Sequence, residues 1–209
     1  MEDVLDLYAA PYDATRPVVC FDELPVQLVR ERRAAWPASA GQPVRYDYEY
    51  TREGVTNLFV IVEPKRGWRR LTVTGHRGQA DFARQMQWLV DEGYPAAPVI
   101  RVVLDNVNTH SWAALYETFP ATEARRILQR LEWHYTPTHG SWLNMAEIEL
   151  SILSRECLGG RRIPTPGQLA AEIALYEARR NAAHVPIDWG FTCDKARLKL
   201  HRLYPANPS

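Results

Sequence analysis

The stretch Pro98–Asp105, PVIRVVLD, constrains the fold more than any other part of this chain. It is a near-continuous run of β-branched and apolar residues that ends in an acid. Runs of this kind belong to strands near the centre of a sheet, covered on both faces, and are typical of parallel pairing. The run stops at Asp105-Asn106, and His110 follows shortly after. An aspartate there has two ordinary uses. It starts a turn, or it holds a charged group at the mouth of a sheet, where open α/β sheets gather their ligands at the carboxyl ends of strands.

The pattern on either side sets the architecture. Residues 1–16 read as an entry segment with one helical turn, ahead of a main domain at 17–205. RPVVCFDELPVQL predicts a buried strand that stops at Asp22, with Pro25 soon after. VRERRAAWPASAGQP is turn-rich, VRYDYEYTR alternates as a strand, and GVTNLFVIVEP and GWRRLTVTG are two further strands joined across PKRG. The period then changes. Phe82, Met86 and Leu89 recur at helical spacing until Gly93 and Pro95 end the helix. Beyond PVIRVVLD come short helices at SWAALYETF and ATEARRILQR, a strand at LEWHYTP, helices at NMAEIELSILSREC and PGQLAAEIALYEARRNAA, and one short helix near the end. Strands first, then strand and helix in alternation, predict an α/β mixed sheet with an antiparallel meander and crossover helices on both faces.

Composition narrows the function classes. With 46% apolar residues in 209, the chain can bury a sizeable core. No run of about 18 apolar residues exists, so no membrane span is expected. The acidic start MEDVLDLYAAPYD lacks the apolar core of a secretory signal, which leaves the cytoplasm as the expected compartment. Cys20, Cys157 and Cys193 have no metal-ligand spacing and form no even disulfide set, and Cys20 reads as a small buried hydrophobe. The 25 basic and 25 acidic residues cancel, which argues mildly against a nucleic-acid partner. Their distribution argues the other way: basic residues cluster at 30–33, 65–70, 161–162 and 195–202, each equally readable as a solvated face.

Asp22 and Asp105, both at expected strand ends, meet if their strands are neighbours. The helix after the last strand offers Glu147, Glu149 and Glu156, and Glu147 returns to the same edge of the sheet. Three converging carboxylates repel one another unless cations lie among them, and such hard oxygen ligands suit magnesium or manganese. A pair of such ions about 4 Å apart suits phosphodiester cleavage. Each acid also has a plain structural reading. Asp105-Asn106 suits a turn, and Asn144 followed by Glu147 matches a capping box. Glu149 is turned from Glu147 by about 200° and cannot share its site. Glu23 points to the other face from Asp22 by strand alternation. His110 either contacts a metal-bound phosphate or donates to a backbone carbonyl. His139 lies in a loop near the third acid. Trp68, Trp133 and Trp142 read as packing residues, with base stacking as the alternative.

VVCFDE, VVLDNVNTH and HGSWLNMAEIELSILSREC together resemble the catalytic domain of insertion sequence 630 family transposases, bacterial relatives of the mariner elements within the DDE superfamily. The resemblance runs from about Val4 to Tyr204. It implies a ribonuclease H-like fold and cut-and-paste DNA transposition. It maps the catalytic, metal-holding acids onto Asp22, Asp105 and Glu147. It also implies two divalent cations, magnesium or manganese, cleavage of double-stranded DNA at terminal inverted repeats, and insertion at TA by the freed 3′-hydroxyl. A homodimer on DNA follows from paired ends. The family's helix-turn-helix modules have no counterpart in the roughly twenty residues before Asp22, so end recognition is expected from elsewhere, such as a subunit encoded by an upstream frame. The long spacing between Asp105 and Glu147 predicts extra structure around YETFPATEARRIL. Three other readings stay open: a non-catalytic remnant that binds DNA or a full-length transposase, another ribonuclease H-like nuclease, and, more distantly, a metal-free glycosidase pair.

Overall fold

The computed structural model describes residues 1–33, 38–43, 48–107 and 109–204. Its sheet has the order β3-β2-β1-β4-β5. The strands are β1 (Val18–Glu31), β2 (Tyr50–Glu63), β3 (Trp68–Thr74), β4 (Ile100–Leu104) and β5 (Leu131–Tyr135). β1, β2 and β3 form the antiparallel meander, while β4 runs parallel to both β1 and β5. The expected mixed sheet is therefore present, with PVIRVVLD supplying β4, one place from the middle. Among the described residues no helix is long and apolar enough to cross a membrane.

Strand alternation divides the side chains into two faces. One face carries Val19, Phe21, Phe59, Ile61, Val102 and Leu104, and packs against α2 (Gln79–Trp88), α3 (Trp112–Thr118) and α4 (Ala121–Leu128). Phe82 of α2 reaches Phe21 edge-on at 5.3 Å. The other face carries Leu58, Val60 and Val62 under α5 (Ala146–Leu153) and α6 (Pro166–Ala183). It continues through Cys20 and Val103 under α1 (Glu2–Ala9) and α7 (Cys193–Lys199). Removing each such Leu, Val or Phe from water contributes about 1.5–3 kcal/mol, so both layers hold the sheet.

Several elements differ from their sequence readings. β1 does not stop at Asp22. It continues through Pro25 to Glu31, paired with β2 throughout. Proline is tolerated there because β4 pairs β1 only over Val18–Cys20, so beyond Cys20 no strand needs a donor on that edge. VRYDYEYTR is not a separate strand in its described part: β2 starts at Tyr50 and passes through Gly54 without a break, and Val44–Asp47 lie outside the described residues. The entry segment has two turns of helix rather than one, with Val4, Leu5, Leu7 and Tyr8 buried. The extra structure before β5 is the α3–α4 pair.

Candidate active site

Alternation places Asp22 on the same face as Cys20 and Asp105 on the same face as Val103, the face that α5 covers. The register brings the two acids level. Cys20 pairs with Val103, and two further residues along each strand reach Asp22 and Asp105. Neighbouring strands lie about 4.8 Å apart, so the two backbones are adjacent at this height. Glu147, the second residue of α5, arrives on the same face. Asp22 is buried, and Asp105 and Glu147 are half-buried.

Asn144 brings α5 to this height. Its side-chain amide donates to the Phe21 carbonyl, the residue before Asp22, at 2.8 Å. Its side-chain oxygen accepts from Ala146 N at 3.2 Å. The carboxamide thus joins β1 to the first turn of the acid-bearing helix. The capping box read from the sequence does not form: the N-cap residue is Met145, without a side-chain cap. The Glu147 backbone N–H donates to the Asn144 carbonyl at 3.1 Å, while its carboxylate has no hydrogen bond or ion pair among the described residues. Glu149, as expected, faces away. It is fully buried, accepts from Tyr176 Oη at 2.7 Å and lies 3.3 Å from Arg69 Nε and 3.2 Å from Arg180 Nη2. This ion cluster pins the back of α5 to β3 and α6.

The opposite side of the two strand ends is joined by His110. Its Nε2 is 2.8 Å from Glu23 Oε2 and its Nδ1 is 3.1 Å from the Asp105 carbonyl oxygen. The ring lies stacked on Phe82 and edge-on to Phe21. Of the two sequence readings, contact with a backbone carbonyl is the one observed. His139, exposed and in the left-handed region at φ 62, lies in the turn that Gly140 N closes onto the Pro137 carbonyl, ahead of α5. Of the tryptophans, Trp68 stacks on Trp88 and Trp133 on Tyr135, whereas Trp142 is half exposed and stacks on Trp189.

The electrostatics follow from crowding. Burial first, then the charges of Glu147, Asp105 and Glu23, push the Asp22 carboxyl up to about 7 against the opposing bond from Glu23 N. Glu147 is raised by burial and by Asp105. The neighbouring charges that raise both are carboxylates. Among the described residues no three His, Cys, Asp or Glu side chains are drawn together tightly enough to grip a metal ion. Local bonds account for part of this: Asp22 Oδ1 accepts from Glu23 N at 2.8 Å, and Asp105 Oδ1 accepts from Thr136 Oγ1 at 2.8 Å. The donor set, all carboxylate and without a counter-cation, has the chemistry that hard divalent ions take.

The contacts of Asn144 with Phe21, Thr136 with Asp105 and His110 with Glu23 have no signal in the sequence. LNMAE displays Asn144, but a local cap is the only role its neighbours signal. Thr136 reaches Asp105 across 31 positions, which no short motif records.

The family model described as DDE superfamily endonuclease matches residues 17–170. No curated protein matches the chain. Among solved structures, the Mos1 transposase paired-end complex with left transposon end matches at 18% identity and TM-score 0.53, covering 88% of this chain and 56% of that one. The Mos1 strand transfer complex matches at 19% identity and TM-score 0.53, with the same coverage. The chain therefore shares the ribonuclease H-like fold of that transposase and spans just over half its length.

Proposed function

We propose, from the premise that this chain belongs to the DDE superfamily of endonucleases, that it is a transposase catalytic domain that cuts DNA strands and joins the freed ends to a target. The observation that carries this is the level placement of Asp22 and Asp105 on the sheet face that also receives Glu147. On this reading Asp22, Asp105 and Glu147 hold two divalent cations, magnesium or manganese, which when bound would polarise the scissile phosphate and the attacking oxygen.

The chain's own residues hold and aim. Thr136 fixes one oxygen of Asp105, and the Asn144 carboxamide sets the height of Glu147 against Asp22. In the first reaction a water oxygen attacks phosphorus and the bond to the 3′-oxygen breaks, leaving a 3′-hydroxyl and a 5′-phosphate. In the second the 3′-hydroxyl loses its proton and attacks a target phosphodiester, whose own 3′-oxygen leaves. One phosphodiester is lost and one gained at each joined end. The insertion sequence 630 motifs extend the reading to terminal inverted repeats, TA targets, a dimer on paired ends and a separate end-recognising helix-turn-helix subunit. The relatives captured as a paired-end complex and a strand transfer complex support it.

The test is strand nicking of supercoiled DNA with magnesium or manganese. The parent chain should nick and Asp22→Asn, Asp105→Asn and Glu147→Gln should not. Nicking that survives in all three variants, or that persists in chelator, would refute the assignment. A folded parent that binds DNA without nicking would favour the accessory, non-catalytic reading.

A further inference from the structure

We infer that the groove along α5, from Glu147 to Arg155, seats the sugar-phosphate backbone of the strand being cut, with Arg155 pairing a phosphate. The inference rests on the strand-cleaving reading and adds to it the residues that grip the substrate. The groove is about 740 Å³ and is lined by Glu23, Leu24, Glu147, Leu150, Ser151, Ser154 and Arg155. Glu147, Ser151, Ser154 and Arg155 recur at spacings of four, three and one, which keeps them on one stripe of a helix. α5 passes at Ser154 into a π-helical turn, Ser154–Leu158, and such turns are frequent at functional sites. Eight residues of helix rise about 12 Å. One DNA strand carries a phosphate about every 3.4 Å along the duplex axis, so the stripe spans three to four of them.

The charges run in the order a substrate strand requires. Glu147 forms the acidic end, beside the candidate metal acids, while the Glu23 carboxylate is turned away to His110. Arg155 forms the other end, and its side chain has no hydrogen bond or ion pair among the described residues. Its neighbours differ: Glu156 is taken by Arg179 at 2.8 Å, and Arg161 is paired with Glu172. An exposed arginine with no carboxylate on it, at the end of a groove that starts at a candidate metal acid, is placed for an external anion. Ser151 and Ser154 supply hydroxyl donors between the two ends, and Leu24 and Leu150 give an apolar floor for the sugar.

The experiment measures binding of a fluorescent DNA duplex to the whole chain in chelator, across a salt series starting low. Each phosphate contact contributes about 0.9 to the slope of log affinity against log salt. Arg155→Ala should weaken binding and lower that slope by about 0.9, and Arg155→Lys should keep it. Arg84→Ala, on α2 against the opposite sheet face, should leave it unchanged. Thermal melting should be nearly the same for all four proteins, since the Arg155 side chain has no partner to lose and Arg84 loses only an exposed 3.8 Å pair with Asp81. An unchanged slope in Arg155→Ala, equal losses in Arg155→Ala and Arg84→Ala, or a parent that binds no DNA even at low salt would overturn the groove assignment. The cleavage reading is judged separately, because a parent that nicks DNA while Arg155→Ala keeps its slope loses the groove alone.

Discussion

Asp22 should destabilise the metal-free chain at neutral pH, and replacing it should make that chain more stable. The carboxyl is raised from 3.8 to about 7 because it is buried and faces other acids. A group whose folded value exceeds its unfolded value contributes stability that is complete below the unfolded value and lost as pH rises through the folded one. The window is therefore about pH 4 to pH 7. Each tenfold change in proton affinity is worth about 1.4 kcal/mol, so the ceiling is about 4 kcal/mol. Residual hydration and side-chain relaxation reduce the expected effect to about 2–3 kcal/mol. Asp22→Asn keeps an oxygen able to accept from Glu23 N and removes the charge. At pH 8 in chelator the variant should melt roughly 4–12 °C above the parent, taking about 2–4 °C per kcal/mol for a chain of this size. At pH 4 the two should nearly coincide. Magnesium at pH 8 should raise the parent and leave the variant unmoved. The assay is calorimetric or fluorescence melting at each pH, with urea unfolding as a check. A variant less stable than the parent at pH 8, or parallel profiles across the window, would refute the crowded-acid argument.

Other consequences follow from individual contacts. Asn144→Ala leaves the Phe21 carbonyl without its donor and should cost about 1–3 kcal/mol in urea unfolding; it should also reduce nicking at least tenfold, and nicking at the parental rate would contradict the positioning role. Glu149→Gln leaves the buried Arg69 guanidinium, and the partly buried one of Arg180, uncompensated and should cost about 3–5 kcal/mol by the same measurement. Cys20, fully buried and raised to about 12, should react with a thiol reagent only when the chain unfolds, a rate comparison that fast native-state labelling would contradict.

Much of this fold is legible where one physical signal dominates. β4 could be read because a strand buried on both faces needs apolar residues at nearly every position, and α6 because Pro166 opens the helix, which Thr165 then caps in the structure by accepting from Gln168 N. β1 was misread at its end because Pro25 carries a local stop signal, and only the absence of β4 beyond Cys20 removes its force. The acids were legible by type and by motif. Their height was not, since it depends on the Cys20–Val103 register and on a carboxamide bond from Asn144 to Phe21. Asp105 combines both readings of its strand end: Val107 N turns back onto its carbonyl at 2.9 Å, while its carboxylate faces the other acids. Distant pairings such as Thr136 with Asp105 leave no trace in spacing.

The central claim is that the acid ending β4 holds a divalent cation together with Asp22 and Glu147. Calorimetric titration of magnesium, then manganese, into the parent and into Asp105→Asn tests it most directly. The account predicts weak but saturable binding to the parent and loss of most of that heat in the variant, with both proteins melting as folded chains. Equal heats in the two proteins, or no binding by a folded parent, would contradict it.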